Sequence, residues 1–248
     1  MIEPIESIES TEQRIAIVTG AGRGIGRAVA LELARAGFAL CIAARTYDEL
    51  AETRRLSGLD ARRSLIVLID LAQYEAPEML FHAALDHFGR IDAVVNNAGW
   101  APARTPLEKL NADDEARMIA VNLRAPAALS RLAAAPMKKR GTGVIVNIAS
   151  AAARATPAGE AVYAATKAGL VAFTHASFKE LRGSGVKVSV ILPGLADTDL
   201  IPANRRLDRD AMLTPAAVAS AVLGIIEAPA NICPVEIVLE SSRDPMRS

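Results

Sequence analysis

The sequence predicts an α/β protein, a doubly wound sheet of seven parallel strands with helices on both faces. Three features carry that reading. From about residue 15 to residue 239, apolar runs of strand length alternate with segments of helical periodicity. The strand runs are continuously apolar, as expected for a sheet covered on both sides. The first of them opens into a tight glycine turn that leads directly into a helix. With right-handed crossovers, such a sheet presents its ligand site at the carboxyl ends of its strands.

The elements follow in order. The run 15–18 is a first strand, and Thr19-Gly20-Ala21-Gly22-Arg23-Gly24-Ile25-Gly26 is the turn. The run 38–44 is a second strand, 47–56 a short helix and 65–69 a third strand. Residues 76–88 form a helix stopped by Gly89, and 93–95 a fourth strand running into Asn96-Asn97-Ala98-Gly99. A single long helix is expected over 113–139. Asp113, Asp114 and Glu115 at its start, and Lys138, Lys139 and Arg140 at its end, complement the helix dipole. Strands at 143–148, 186–192 and 235–239 alternate with helices at 158–182 and 215–226. No linker or repeat interrupts the pattern, so 14–248 is read as one domain. Residues 1–13, with four glutamates, read as a disordered lead-in and not as a signal peptide.

Composition narrows the function classes. Lys+Arg and Asp+Glu stand at 28 each, so no basic excess points to nucleic acid. No apolar run approaches the roughly 18 residues of a membrane span. Cys41 and Cys233 both fall in apolar, strand-like runs and read as buried free thiols of a reducing, cytoplasmic compartment, with a disulfide left open. His82 and His87 are five apart on one helix and read as solvated, so no metal site is expected.

The glycine turn has the makings of a phosphate site. Glycine removes the Cβ atoms that hold a diphosphate away from the backbone, and the helix start offers unpaired N–H groups. In a dinucleotide site the second strand usually ends in an acid that holds the ribose 2′-hydroxyl. Here it ends Ala43-Ala44-Arg45, and the later Asp48 and Glu49 are accounted for by a helix start. Arg45 with Arg23 offers planar donors to a 2′-phosphate instead. NADP(H) is therefore favoured over NAD(H), against the plainer alternative of two solvated arginines. Further on, Ser150 ends a strand, Tyr163 follows thirteen residues later, and Lys167 lies four beyond on the same helical face. A neighbouring ammonium lowers a phenol's pKa and fits it for proton transfer.

Together the T-G-x-x-x-G-x-G turn, Asn96-Asn97-Ala98-Gly99, Asn122, Ser150, Tyr163, Lys167 and Pro193-Gly194 resemble the short-chain dehydrogenase/reductase family, strongly over about 14–198. The resemblance implies a Rossmann-type fold and hydride transfer between a nicotinamide and a carbonyl or secondary alcohol. It implies Tyr163 as general acid/base, and Lys167 as the group that lowers its pKa and binds the nicotinamide ribose. Ser150 would orient the substrate oxygen, and Asn122 would hold a relay water. It further implies cofactor contacts from Gly20, Gly22, Arg23, Gly24, Ile25 and Gly26. Asp70, beside Leu71, would contact the adenine; Asn97, Ala98 and Gly99 would flank the adenosine ribose, with Asn96 mainly structural. Pro193, Gly194, Leu195 and Thr198 would line the nicotinamide.

The chain departs from the family in ending Pro234-Val235-Glu236-Ile237-Val238-Leu239-Glu240 where many members have a glycine-rich segment. A homo-oligomer, dimer or tetramer, is implied, with alanine-rich faces (Ala125, Ala127, Ala128, Ala133; Ala161, Ala164, Ala165, Ala168) that would let helices approach closely. The charged stretch 199–213, including Arg205, Arg206 and Arg209, is the place for a substrate lid, and Trp100, Ala152, Thr156 and Leu195 are expected at the pocket mouth. Three functions stay open: a carbonyl reductase or alcohol dehydrogenase, a 3-oxoacyl-thioester reductase, and a catalytically silent nucleotide-binding regulator.

Overall fold

The strands are built from residues that cannot face water on either side. In β1 (Ile15–Thr19) every residue is buried. Ala16 and Val18 point into one core, with Val29, Leu33, Val218 and Val222, while Ile17 points into the other, with Leu80, Leu129 and Met137. That two-sided burial explains why the run is apolar throughout. The computed structural model describes residues 13–201 and 207–246. Most of the expected lead-in, and Arg205 and Arg206 of the charged stretch, lie outside the described residues.

Seven parallel strands form one sheet in the order β3-β2-β1-β4-β5-β6-β7. The others are β2 (Ala39–Ala44), β3 (Ser64–Leu68), β4 (Ala93–Asn96), β5 (Gly143–Ile148), β6 (Val186–Pro193) and β7 (Glu236–Leu239). The order reverses between β1 and β4, which opens a crevice at their carboxyl ends. Helices α1 (Gly24–Arg35) and α8 (Pro215–Glu227) cover one face, with α2 (Tyr47–Ser57) beside β2 and β3. The other face is covered by α3 (Ala76–Phe88), α5 (Ala125–Arg140) and α7 (Ala161–Leu181).

Three expectations are corrected. The helix expected over 113–139 is broken: α4 (Ala112–Ile119) passes through a π-helical turn, Ala120–Arg124, before α5 begins. The helix expected from 158 starts at 161 and is preceded by a four-residue helix, α6 (Ala152–Ala155). Cys41 is buried in β2 as expected, but Cys233 lies ahead of β7, outside any strand and only half-buried. Both thiols are free.

Candidate active site

The carboxyl ends of the strands open into a cleft of about 1410 Å³. That exceeds the ~300–1,000 Å³ of a common small-ligand site, as a dinucleotide plus a substrate would require.

The glycine turn closes one end. A Cβ on Gly20, whose φ is +64°, would stand 2.9 Å from both Ala98 Cα and Asn97 Nδ2, and one on Gly26 would collide with the Gly20 carbonyl. Absence of side chains thus lets α1 begin at the cleft, with Gly24, Ile25 and Gly26 of its first turn among the lining residues. The turn is braced from behind by residues the motif did not single out. Thr53, fully buried, donates to Ala21 O at 2.9 Å and accepts from Arg27 Nε at 3.0 Å, while Arg27 also donates to Gly22 O. Thr19 Oγ1 accepts from Asn97 N and Ala98 N, both at 3.0 Å, and ties the end of β4 to the turn.

Gly20, Gly22, Arg23, Gly24, Ile25 and Gly26 line the cleft, as do Arg45, Asp70 and Leu71. Asn97, Ala98, Gly99, Tyr163, Gly194, Leu195 and Thr198 also line it, whereas Asn122, Ser150 and Lys167 are not among its lining residues. Pro193 is instead the last residue of β6, held within the sheet. Asn96 is buried in a side-chain network, donating to Asn147 Oδ1 at 2.8 Å and Ser130 Oγ at 3.1 Å. Trp100, Ala152 and Leu195 are at the cleft as anticipated. Thr156 is not among its lining residues and ends α6 in a left-handed conformation (φ 44°).

Beside the glycine turn an acid is present after all. Glu49 sits in the first turn of α2, as a helix start would have it, but its carboxylate folds against the glycine turn. A Cβ on Gly22 would come within 2.8 Å of Glu49 Oε2. Arg23 Nη1 lies 3.8 Å from Glu49 and 3.4 Å from Asp199, so the acid stands beside one of the two arginines expected at the 2′-phosphate. Asp70 accepts from Ala72 N at 3.0 Å and from Arg117 Nη2 at 2.8 Å. Burial acts to raise its pKa, but the Ala72 N–H, the Arg117 bond and charge, and the Arg45 charge together hold it below the usual carboxylate range.

Beside Tyr163, α7 and the segment that follows β5 bring three side chains together. Lys167 is buried, and its Nζ donates to Ile148 O at 2.9 Å. Burial pushes its pKa down to about 8. Its Nζ lies 5.9 Å from the Tyr163 ring centre. The phenol of Tyr163 is raised above its ordinary pKa by burial. The hydrogen bond with Ser150 opposes that rise, and the Glu160 charge adds to it. The Lys167 ammonium is turned to the Ile148 carbonyl. Glu160 is itself held by Arg104 Nε at 2.5 Å.

Asn122 lies in the π-helical turn, fully buried. Its Oδ1 accepts from Trp100 N and its Nδ2 donates to Trp100 O, each at 2.8 Å, with a weaker 3.4 Å bond to Thr166 Oγ1. Asn122 Oδ1 and Lys167 Nζ both border the space beside Gly99, each 3.6 Å from where a Cβ would stand. Among the described residues, no group of three or more His, Cys, Asp or Glu could hold a metal ion, and no helix is long and apolar enough to cross a membrane.

A nucleotide-sized cleft at a switch point, lined by Tyr163, with Ser150 hydrogen-bonded to that phenol and the buried Lys167 Nζ 5.9 Å from its ring, is the arrangement of a Rossmann-type oxidoreductase. A family profile described as short chain dehydrogenase matches residues 14–208. The chain belongs to the short-chain dehydrogenase/reductase family. It is 34% identical over 195 residues to cis-4-hydroxycyclohexanecarboxylate dehydrogenase of Sinomonas cyclohexanicum, a match covering 78% of this chain and 77% of that one. It is 38% identical over 207 residues to the short-chain dehydrogenase/reductase FrzI of a Cladobotryum species, covering 79% and 76%. A metagenomic short-chain oxidoreductase solved in complex with NADP superposes with a TM-score of 0.81 at 28% identity, covering 93% of this chain and 98% of that chain.

Proposed function

We propose that this oxidoreductase transfers a hydride between NADP(H) and a carbonyl or secondary alcohol, with Ser150, Tyr163, Lys167 and Asn122 as its working set. The observation that supports the reading is Tyr163 lining the cleft with Ser150 hydrogen-bonded to its phenol and the buried Lys167 Nζ 5.9 Å from its ring. The bound nicotinamide would supply or accept the hydride. Tyr163 would give its proton to the carbonyl oxygen in reduction and take it from the hydroxyl in oxidation, while Ser150 holds that oxygen. Lys167, whose Nζ lies 3.6 Å from where a Cβ on the cleft residue Gly99 would stand, would meet the ribose hydroxyls. A water in the same space would join it to Asn122 as a relay.

NADP(H) is favoured over NAD(H) because Arg23 and Arg45 both line the adenine end. The structural relative that carries NADP adds weight. Glu49 is the one feature that pulls the other way. For the substrate, a neutral carbonyl suits the walls better than an acyl-carrier thioester. Ala151, Ala152, Ala155, Leu200 and Leu207 give the walls an apolar share beside the paired Arg104 and Glu160. Arg209 is engaged by Asp197 and the Ile201 carbonyl, and the carboxylate of Glu240 also faces the cleft. We further infer a cytoplasmic protein, on the free thiols Cys41 and Cys233, and a homo-oligomer, dimer or tetramer, on the exposed small residues Ala161, Ala165 and Ala168 of α7.

The test is oxidation of NADPH and NADH against ketones, aldehydes and 3-oxoacyl thioesters. NADPH-dependent ketone turnover is expected, and Tyr163→Phe should retain NADP(H) binding while losing about 10²–10⁴-fold in kcat. Equal activity of the variant would overturn the assigned chemistry. Cofactor binding with no turnover of any carbonyl would favour the silent regulator.

A further inference from the structure

The loop after β4 carries the only tryptophan of the chain. Its backbone and its ring are held by different partners. Asn122 clamps the backbone at both N–H and C=O. The ring is covered by the Arg117 guanidinium, 5.6 Å from its centre. Arg117 belongs to α4, whose first turn holds Asp113, Asp114 and Glu115. Its Nη2 nevertheless reaches across to Asp70 Oδ2, 47 positions away in sequence. Both side chains of that pair are about one-third exposed, at 29% and 32%. Partial shelter makes such a charge-assisted bond stronger than an open surface pair.

Asp70, Arg117 and Trp100 all line the cleft. Asp70 follows β3 at the adenine end. Trp100 leads into 101–104, the stretch that meets Glu160 through Arg104 at the substrate end. Arg117 is the link between the two.

We propose that Arg117 is a positioning residue that couples occupation of the adenine end to the orientation of the Trp100 ring, and so to the shape of the substrate wall. The proposal rests on the dinucleotide reading above. An ionised carboxylate only accepts, and Asp70 already takes Ala72 N on one oxygen and Arg117 on the other. A donor arriving on the ligand, such as the exocyclic amino group of adenine, competes with Arg117 when it bonds to Asp70 Oδ2. The guanidinium then moves relative to the ring it covers. Because Asn122 fixes the backbone on both sides, the response falls on the side-chain torsions of Trp100 and not on the loop. Substrate affinity would thereby follow cofactor binding through one salt bridge and one cation–π contact.

The single tryptophan makes this measurable without turnover. The probe is adenosine 2′,5′-bisphosphate, which carries the adenine and 2′-phosphate but no nicotinamide, with binding established by calorimetry. In the wild-type protein its binding should change Trp100 emission and acrylamide quenching. Arg117→Met should still bind the probe, lose that response, and show a freer Trp100 from the outset; Arg117→Lys, which keeps a cation over the ring without the fork, should respond partially. With a carbonyl substrate, Arg117→Met should raise KM by about 2- to 5-fold, the loss of one ordinary cation–π contact, with kcat little changed. A wild-type protein that binds the probe without an optical response overturns the proposal. So does an Arg117→Met variant with a full response or, where that variant does not fold, an Arg117→Lys variant with one. Failure of the wild type to bind either the probe or NADP⁺ is a separate result, which removes the cofactor reading and this coupling with it.

Discussion

Ser150 and Glu160 act on Tyr163 in opposite directions, and pH can separate them. Burial raises the phenol, the Ser150 hydrogen bond favours its ionised form, and the Glu160 charge disfavours it. Reduction needs the phenol as donor; oxidation needs the phenolate as acceptor. Alcohol oxidation should therefore gain kcat/KM as pH rises from neutral into the alkaline range, while carbonyl reduction stays level at neutral pH and falls beyond it. Ser150→Ala removes the bond that lowers the pKa, so its oxidation limb should move to higher pH, with kcat down by about 10²-fold for a lost oxygen-holding donor. Glu160→Gln removes the charge that raises it, so its limb should move to lower pH. Limbs that shift together, or not at all, in pH–rate profiles of the two variants would show that neither group sets the state of Tyr163.

Among the elements, the glycine turn and α8 make opposite demands on the same residue type. A Cβ at Gly26 meets the Gly20 carbonyl, a backbone atom that cannot step aside. Gly26→Ala should cost about 1–3 kcal/mol of stability by overpacking and abolish NADP(H) binding in calorimetry. Gly224, on the exposed side of α8, has open space where a Cβ would stand, with nothing within 4 Å. Gly224→Ala should instead stabilise by about 0.5–1 kcal/mol, with cofactor affinity unchanged. Opposite shifts of Tm are the expected readout, and a neutral Gly26→Ala would sink the steric account of the turn. The turn was legible in sequence because its geometry is local, and the strands because two-sided burial leaves continuous apolar runs. The π-helical turn was not, since its flanking residues Ile119 and Ala125 keep helical dihedrals and no glycine interrupts them. Residues that act across long separations were equally hidden: Glu49 beside Gly22, Thr53 under the turn, and Arg117 on Asp70. Each depends on which helix packs over which strand end, and no local pattern states that.

For the whole molecule, the question is whether the cofactor half and the rest open together, as the single-domain proposal requires. Cys41 is placed to answer it. It is fully buried in β2, in the core formed with α3 and α5, and burial pushes its thiol up to about 12, so as a neutral thiol it is unreactive while the sheet stays closed. Cys233 is half-buried ahead of β7, donating to Val188 O at 3.5 Å, and needs only local movement to react. Thiol labelling followed by peptide mass analysis should therefore show Cys233 reacting first. NADP⁺ at 100 times its Kd should slow Cys41 about 100-fold, the kinetic image of about 2.7 kcal/mol of linkage, because only the closed protein binds it. Cys233 should be affected far less. If Cys41 labels at the same rate with and without the nucleotide, β2 opens without releasing the ligand, and the sheet is then not one cooperative unit.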